Sequence, residues 1–238
     1  MFVAVPKAFD EETYEVLRYD MYVRSQNWDK LIAAADKKRP ETPLTVAMLN
    51  LSLAMKGSLN ERAFGYYQNG WGGAFPAFNK HYMVSMVTAE TYFYLGLCNS
   101  AQRMAFEAME ALPDNTKSVR CILRLAETNL INGEYTVARK YLLLLQKTMF
   151  YRAWATRTMA LLDNDKAVEA HPLYGYLRSL HLKDDFTFSE QEIDKIMGQL
   201  VMVNHTNTLA IQYLLLLPQL EGDRAKYEAY RQFVNSIR

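Results

Sequence analysis

Apolar residues recur along the chain at intervals of three and four, most clearly within residues 122–145. There, Leu125 and Ala126 precede the turn Asn132-Gly133-Glu134, and Ala138 follows it. This spacing predicts two amphipathic helices, because residues three or four apart share one side of a helix. The short turn predicts that the two helices are antiparallel neighbours. The small alanines allow their backbones to approach closely.

Similar turns recur elsewhere in the chain, which favours a helical repeat architecture. The aligned turns are Gln26-Asn27-Trp28, Gly57-Ser58-Leu59, Ser100-Ala101-Gln102, Gly133-Glu134-Tyr135 and Gly222-Asp223-Arg224. The intervals from residue 28 to 59 and from residue 102 to 135 are close to the period of about 34 residues found in some helical repeats. The interval between residues 59 and 102 is longer and must hold an insertion.

Helical periodicity extends over most of the chain and predicts an all-α fold. The predicted helices are 11–25, 28–38, 44–56, 60–68, 87–98, 101–111, 117–131, 135–147, 150–161, 173–182, 189–203, 207–217 and 223–237. The stretch 68–85 is rich in glycine and aromatic residues and breaks the pattern, so it predicts a loop inserted between hairpins. Its aromatic residues have two interpretations: they fold back onto the protein, or they form a lid over a ligand.

The pattern changes near residue 163, where acidic clusters and Pro172 appear. We therefore predict one structural domain in two parts: a repeat array at 1–162 that carries the insertion 68–85, and a helical cap at 163–238 packed on the array. Within the cap, Ser189-Glu190-Gln191-Glu192 has the spacing of a capping box and predicts a helix start.

Composition excludes several classes of protein. Half of the residues are hydrophobic and 13% are aromatic, which excludes a disordered chain. The formal net charge of +1 gives no reason to expect nucleic acid or an anionic membrane surface as a partner. The apolar segments Leu44–Met55 and Leu209–Leu217 are too short to span a bilayer. Met1–Lys7 lacks the features of a signal peptide, and its abrupt apolar start is expected of a piece cut from a longer protein.

No catalytic motif is found. The sequence lacks GxxxxGK[ST] and HExxH, and its four histidines are scattered. Asp163-Asn164-Asp165 begins like a calcium loop but lacks the glycine and the closing glutamate that such a loop needs. His171 and His181 are ten residues apart, and His181 lies near Asp184 and Asp185, which allows a metal site, although polar surface residues beside a loop also explain them. We therefore predict no enzyme activity, no catalytic residue, no cofactor and no metal site.

The two cysteines, Cys98 and Cys121, lie in apolar helical stretches. Buried free thiols are the favoured interpretation, and a disulfide between them is the alternative. In such surroundings a thiol pKa rises and its reactivity falls, so neither cysteine is a candidate nucleophile.

The hairpin at 122–145 resembles a tetratricopeptide repeat. Ile122-x2-Leu125-Ala126 is similar to the family's large–large–small run, and Tyr135 and Ala138-x3-Leu142-x2-Leu145 are similar to its second helix. The resemblance implies antiparallel helix hairpins stacked as a right-handed solenoid, followed here by atypical C-terminal helices.

A second resemblance covers longer strings, namely YDMYVRSQNWDKLI, NSAQRMAFEAMEALP and RLAETNLINGEY. They are similar to an uncharacterised family from Bacteroidetes, in which a multi-span membrane region precedes a soluble, tetratricopeptide-like part. This resemblance implies that the chain is the soluble part of a protein tethered to the inner membrane. It supplies no catalytic residues.

Stacked hairpins present their first helices on a concave face, which is the expected binding surface. The candidate peptide-binding residues there are Arg120, Arg124, Glu127, Glu90, Tyr94 and Asn99. Two arginines are suited to grip a peptide carboxylate through charge-assisted hydrogen bonds. The alternative is that Arg124 pairs with Glu127 one helical turn away, on a solvated face.

These observations predict a non-catalytic scaffold that binds a protein or peptide in a polar, partly aromatic groove. Two alternatives remain open. A regulatory or substrate-recruiting domain of a membrane enzyme should carry its strongest patch beside Met1–Asp10. A homodimerisation module should bury more than about 1,000 Å² in a two-fold contact.

Overall fold

The computed structural model describes residues 10–182, 185 and 193–237, and these residues contain fourteen α-helices and no β-strand. The helices are α1 Glu11–Arg24, α2 Trp28–Lys37, α3 Pro43–Met55, α4 Leu59–Arg62, α5 Tyr82–Leu95, α6 Cys98–Glu110, α7 Val119–Ile131, α8 Tyr135–Gln146, α9 Arg152–Met159, α10 Asp165–Ala170, α11 Pro172–Leu180, α12 Ile193–Val203, α13 Thr208–Glu221 and α14 Arg224–Ser236. Short 3₁₀ turns lie at Ala63–Gly65, Gly70–Gly73 and Pro113–Asn115. The predicted all-α class is confirmed for this part of the chain. None of its helices is both long and apolar enough to cross a membrane.

Consecutive helices pack on one another through the middle of the chain, from α5 to α9. At the start, α1 contacts both α2 and α3. The C-terminal helices return to this first half: α13 contacts α3, α4 and α5, and α11 contacts α5 and α7. Helices α3 and α5 are consequently buried on almost all sides. The division at residue 163 into array and cap stays a prediction.

The predicted turn at 100–102 is wrong. Helix α5 is capped at its C-terminal end by Gly96, which has a left-handed φ of +94°. Helix α6 already begins at Cys98. A glycine is needed at this helix end, both for its φ and because a Cβ there would lie 2.6 Å from the Cβ of Leu180. Ser100 is inside α6, and its hydroxyl donates to the backbone carbonyl of Asp185.

Some predicted helix bounds also differ from those observed. The helix expected at 60–68 is limited to α4 and a 3₁₀ turn, and the one expected at 173–182 is preceded by the separate helix α10. Helix α13 continues past Pro218 to Glu221. The capping box at 189–192 lies outside the described residues.

The insertion at 68–85 folds back onto the protein. Phe75 is buried, and its ring centroid lies 5.6 Å from that of Tyr92 and 5.5 Å from that of Tyr213. Trp71 donates its indole N–H to Glu221 at 2.9 Å. The aromatic residues of the insertion thus join α5 to α13, as the first of the two interpretations predicts.

Candidate functional site

Five of the six predicted binding residues meet at the junction of α5 and α7. Glu90 and Tyr94 are one turn apart on α5, and Arg120, Arg124 and Glu127 follow one side of α7. All five side chains are at least nine-tenths buried. Because residues three or four apart share a helix face, the spacing that suggested the site also brings the five side chains together.

The two arginines are joined to three carboxylates by short ion pairs. Arg120 donates to Asp20 of α1 at 2.5 Å and to Glu90 at 3.2 Å. Arg124 donates to the other oxygen of Glu90 at 2.5 Å and to Glu127 at 2.9 Å. The carboxylate of Glu90 therefore bridges both guanidinium groups.

Aromatic side chains surround these ion pairs. The guanidinium carbon of Arg124 lies 3.5 Å from the centroid of the Phe93 ring, a cation–π arrangement. Tyr174 of α11 donates its hydroxyl hydrogen to Glu127 at 3.1 Å. On the α1 side, Gln26 donates to the hydroxyl oxygen of Tyr94 at 3.1 Å.

The environments of the three carboxylates differ. Burial raises the pKa of Asp20 despite the opposing charge of Arg120. Burial likewise raises the pKa of Glu127, although Arg124 opposes this effect. For Glu90, burial acts in the same direction, but Arg124 and Arg120 together hold its pKa below the ordinary value. Of the three carboxylates, Glu90 is thus the one whose ionised form the arginines favour most.

A cavity of about 250 Å³ adjoins the cluster, and we call it the α1–α7 cavity. It is lined by Met21, Arg24, Ser25, Gln26, Glu90, Phe93, Tyr94, Arg120, Leu123, Arg124, Glu127, Tyr151 and Leu173. The Nε atoms of Arg120 and Arg124 are buried and have no hydrogen-bond partner among the described residues. A buried donor without an acceptor is costly, so a group bearing an acceptor oxygen suits this cavity.

The predicted setting of the site needs correction. Arg124 does pair with Glu127, but the face that carries them is not solvated, because α1 and α11 cover it. Asp20 and Tyr174 reach the cluster from these two helices and were not predicted. Asp20 lies within the apolar stripe of α1, directly after the fully buried Tyr19. An acidic residue within an apolar helix stripe is the sequence feature that could have identified Asp20.

Asn99 lies apart from the cluster and does not line the α1–α7 cavity. Its backbone N–H donates to Asp185 Oδ2 at 2.8 Å, and its side-chain oxygen accepts from Asn132 at 2.7 Å. Asp185 is fully buried, and this burial raises its pKa to about 7. Asn99 therefore serves to hold Asp185 against the start of α6.

We expect Asp185→Asn to flatten the pH dependence of stability. A carboxyl whose folded-state pKa is raised from 3.8 to about 7 contributes stability that is present below about pH 4 and is lost as the pH rises through 7. The loss is at most about 1.4 kcal/mol per pH unit. Urea midpoints between about pH 4 and pH 8 measure it. The exposed Glu110→Gln is the control, and an unchanged profile in Asp185→Asn would contradict the assignment.

Other candidate chemistry is not assembled in the described part of the chain. No group of three or more histidine, cysteine or acidic side chains there is placed to hold a metal ion. Asp163 pairs with Arg139, and Asp165 accepts a hydrogen bond from Tyr135, which explains these acids without calcium. Asp184, one of the residues of the metal site suggested by the sequence, lies outside the described residues.

Both cysteines are free and buried, as predicted. Burial raises the pKa of the Cys98 thiol and that of the Cys121 thiol. Thiols in this state are poor nucleophiles.

Comparisons with known proteins identify a family. Searches of the curated proteins and of the solved structures find no match to the chain. One family model matches residues 1–234, nearly the whole sequence. The chain therefore belongs to DUF6057, a family of unknown function.

Proposed function

We propose that the protein is a non-catalytic module that binds a short protein segment in the α1–α7 cavity. The observation that carries this proposal is a cavity lined by Arg120 and Arg124, each of which keeps a buried Nε donor without an acceptor among the described residues. The proposed ligand completes the hydrogen bonds of the two arginines.

The charges favour a backbone carbonyl over a carboxylate as the group that enters. Both guanidinium groups already face carboxylates, and with Arg24, which lies 4.0 Å from Asp20, the cluster has three cations and three acids. A carboxylate would add an unpaired charge to this balanced set, whereas a neutral carbonyl oxygen accepts an N–H hydrogen bond without adding charge. This sharpens the expectation from the sequence, which allowed a peptide carboxylate.

The shape of the cavity limits the ligand to a small part of a peptide. About 250 Å³ is below the usual range for small-molecule pockets and is enough for one or two side chains. Met21, Leu123 and Leu173 supply apolar wall, and Arg24 is half-exposed. An apolar side chain flanked by peptide carbonyls matches these walls.

The finer architecture is part of the same proposal: the hairpins stack as a tetratricopeptide-like right-handed solenoid. The contacts between consecutive helices from α5 to α9 support it, as do the helix starts at Trp28, Leu59, Cys98 and Tyr135.

Membership of a Bacteroidetes family and a tether to the inner membrane remain predictions from resemblance. The regulatory and homodimeric alternatives also stay open, and residues 1–9, beside which a regulator's patch is expected, lie outside the described residues.

We expect Leu123→Trp to fill the α1–α7 cavity and to weaken peptide binding at least about tenfold, since excluding a contact worth about 1.4 kcal/mol has that effect. Peptides selected from a random display library against the wild-type protein would be titrated by fluorescence polarisation. Leu161→Trp is the matched control, because Leu161 is also a partly buried leucine packed on the core but does not line the cavity.

Thermal unfolding should show that both variants are folded. Peptides that bind Leu123→Trp as tightly as the wild-type protein would place the binding site elsewhere. A library from which no peptide can be selected would argue against peptide binding altogether.

A further inference from the structure

The turn between α8 and α9 carries the most exposed large apolar side chains of the described residues. Met149 is 79% exposed and Phe150 is 83% exposed. With the exposed basic and leucine side chains of α8, α9 and the turn between them, they form what we call the basic–apolar tip. Its members are Lys140, Leu143, Leu144, Lys147, Met149, Phe150, Arg152 and Arg157.

The tip continues along one side of α8. Lys140, Leu143, Leu144 and Lys147 are spaced three and four residues apart, so they share a helix face. All four are exposed, while the opposite side of α8 packs into the core. The helix thus presents two leucines between two lysines to its surroundings.

The charge of this region is one-sided, although the whole chain has a net charge of only +1. From Tyr135 to Leu162 the sequence has five basic residues and no acidic residue. Arg139 pairs with Asp163 at 2.5 Å. The four basic members of the tip have no ion pair with any described residue. The tip therefore carries four uncompensated positive charges.

The turn is held in a defined shape by its own hydrogen bonds. The Thr148 hydroxyl donates to the carbonyl of Leu145 at 2.7 Å, and the backbone N–H of Tyr151 donates to Thr148 Oγ1 at 3.2 Å. Arg152 Nε donates to the carbonyl of Gln146 at 3.1 Å. Met149 and Phe150 consequently project from an ordered turn and remain exposed.

We propose that the basic–apolar tip docks on the surface of an anionic lipid bilayer. Two projecting apolar side chains suit the boundary between headgroups and acyl chains, and the surrounding lysines and arginines suit anionic headgroups. A projecting turn fits a flat, extended surface, whereas a protein partner would need a matching depression. This inference rests on exposure and charge at the tip and is independent of the proposed peptide site.

Co-sedimentation with vesicles tests the proposal. The protein should bind vesicles of phosphatidylcholine with about one third phosphatidylserine and should not bind phosphatidylcholine alone. Raising the salt from about 0.1 to about 0.5 M should weaken binding, because salt screens charge. Lys140→Gln/Lys147→Gln should bind about 30-fold more weakly, which corresponds to about 1 kcal/mol per cation. Met149→Ser/Phe150→Ser should bind at least about tenfold more weakly.

The control is Phe64→Ser/Lys80→Gln, which removes an exposed aromatic residue and an exposed lysine away from the tip and should leave binding unchanged. Absence of binding to the anionic vesicles, or equal binding to neutral ones, would overturn the proposal. So would tip variants that bind like the wild-type protein. Retention on immobilised poly-glutamate without vesicle binding would instead indicate an acidic protein partner.

Discussion

Arg124→Met is expected to lower the free energy of unfolding by about 3 to 5 kcal/mol, the usual cost of removing one partner from a buried ion pair. Arg124 contacts Glu90 at 2.5 Å and Glu127 at 2.9 Å, and all three side chains are nine-tenths or more buried. Methionine fills a similar volume but leaves Glu127 without its cation and Glu90 with only Arg120. Urea unfolding at pH 7, followed by circular dichroism, measures the loss.

The matched control is Arg139→Met, which breaks the pair with Asp163 at the same 2.5 Å distance. Both of those side chains are substantially exposed, so the expected loss is only about 0 to 1 kcal/mol. The difference between the two variants should shrink below about pH 4.5, where free carboxyls bind protons. In the wild-type protein, Glu90 contributes stability above that pH and loses it as the pH falls through its lowered pKa. Equal losses at pH 7 would contradict the burial of the Arg124 ion pairs.

Gly175→Ala is expected to destabilise the protein by about 3 kcal/mol, the upper part of the usual range for overpacking. A Cβ at Gly175 in α11 would lie 2.0 Å from the carbonyl oxygen of Glu169 in α10. A backbone atom cannot move aside as a side chain can, so α11 itself must shift. That shift would also disturb Tyr174 and its hydrogen bond to Glu127. Thermal unfolding measures the change in stability.

Gly198→Ala is the control for this prediction. Gly198 is also inside a helix, α12, and a Cβ there would meet no atom within 4 Å. Alanine is the better helix former, so Gly198→Ala should stabilise by about 0.5 to 1 kcal/mol. The two glycine substitutions should therefore have opposite signs. A neutral Gly175→Ala would mean that α10 and α11 are less tightly coupled than their contact indicates.

The site could be predicted from the sequence as far as helix spacing allows. The positions of Glu90 and Tyr94 on one helix, and of Arg120, Arg124 and Glu127 on another, follow from the period of 3.6 residues. Their burial could not be predicted in this way. It depends on Asp20, which lies 100 residues from Arg120 in the sequence, and on α11. Such contacts depend on how helices pack together, and local spacing does not encode that.

The errors in the predicted helix ends, by contrast, have local causes. Ser100-Ala101-Gln102 has the small and polar residues of a turn, yet Gly96 ends the preceding helix and these residues continue the next one. At Pro218, the expected stop is too early, since the helix continues through the proline and ends before Gly222, which has a left-handed φ of +73°. A left-handed glycine marks a helix end more reliably than a run of small and polar residues does.

The position of α13 has a consequence for how the protein folds. Gln212 of α13 accepts a hydrogen bond from the backbone N–H of Leu59 and donates one to the carbonyl of Ala54, more than 150 residues earlier in the sequence. Asn207 donates to the carbonyl of Leu95. Burial of α3 thus requires a segment that is synthesised more than 150 residues later. We expect stable folding of α3 only after α13 is available, and folding that is slow for a helical protein, since these contacts are distant in sequence.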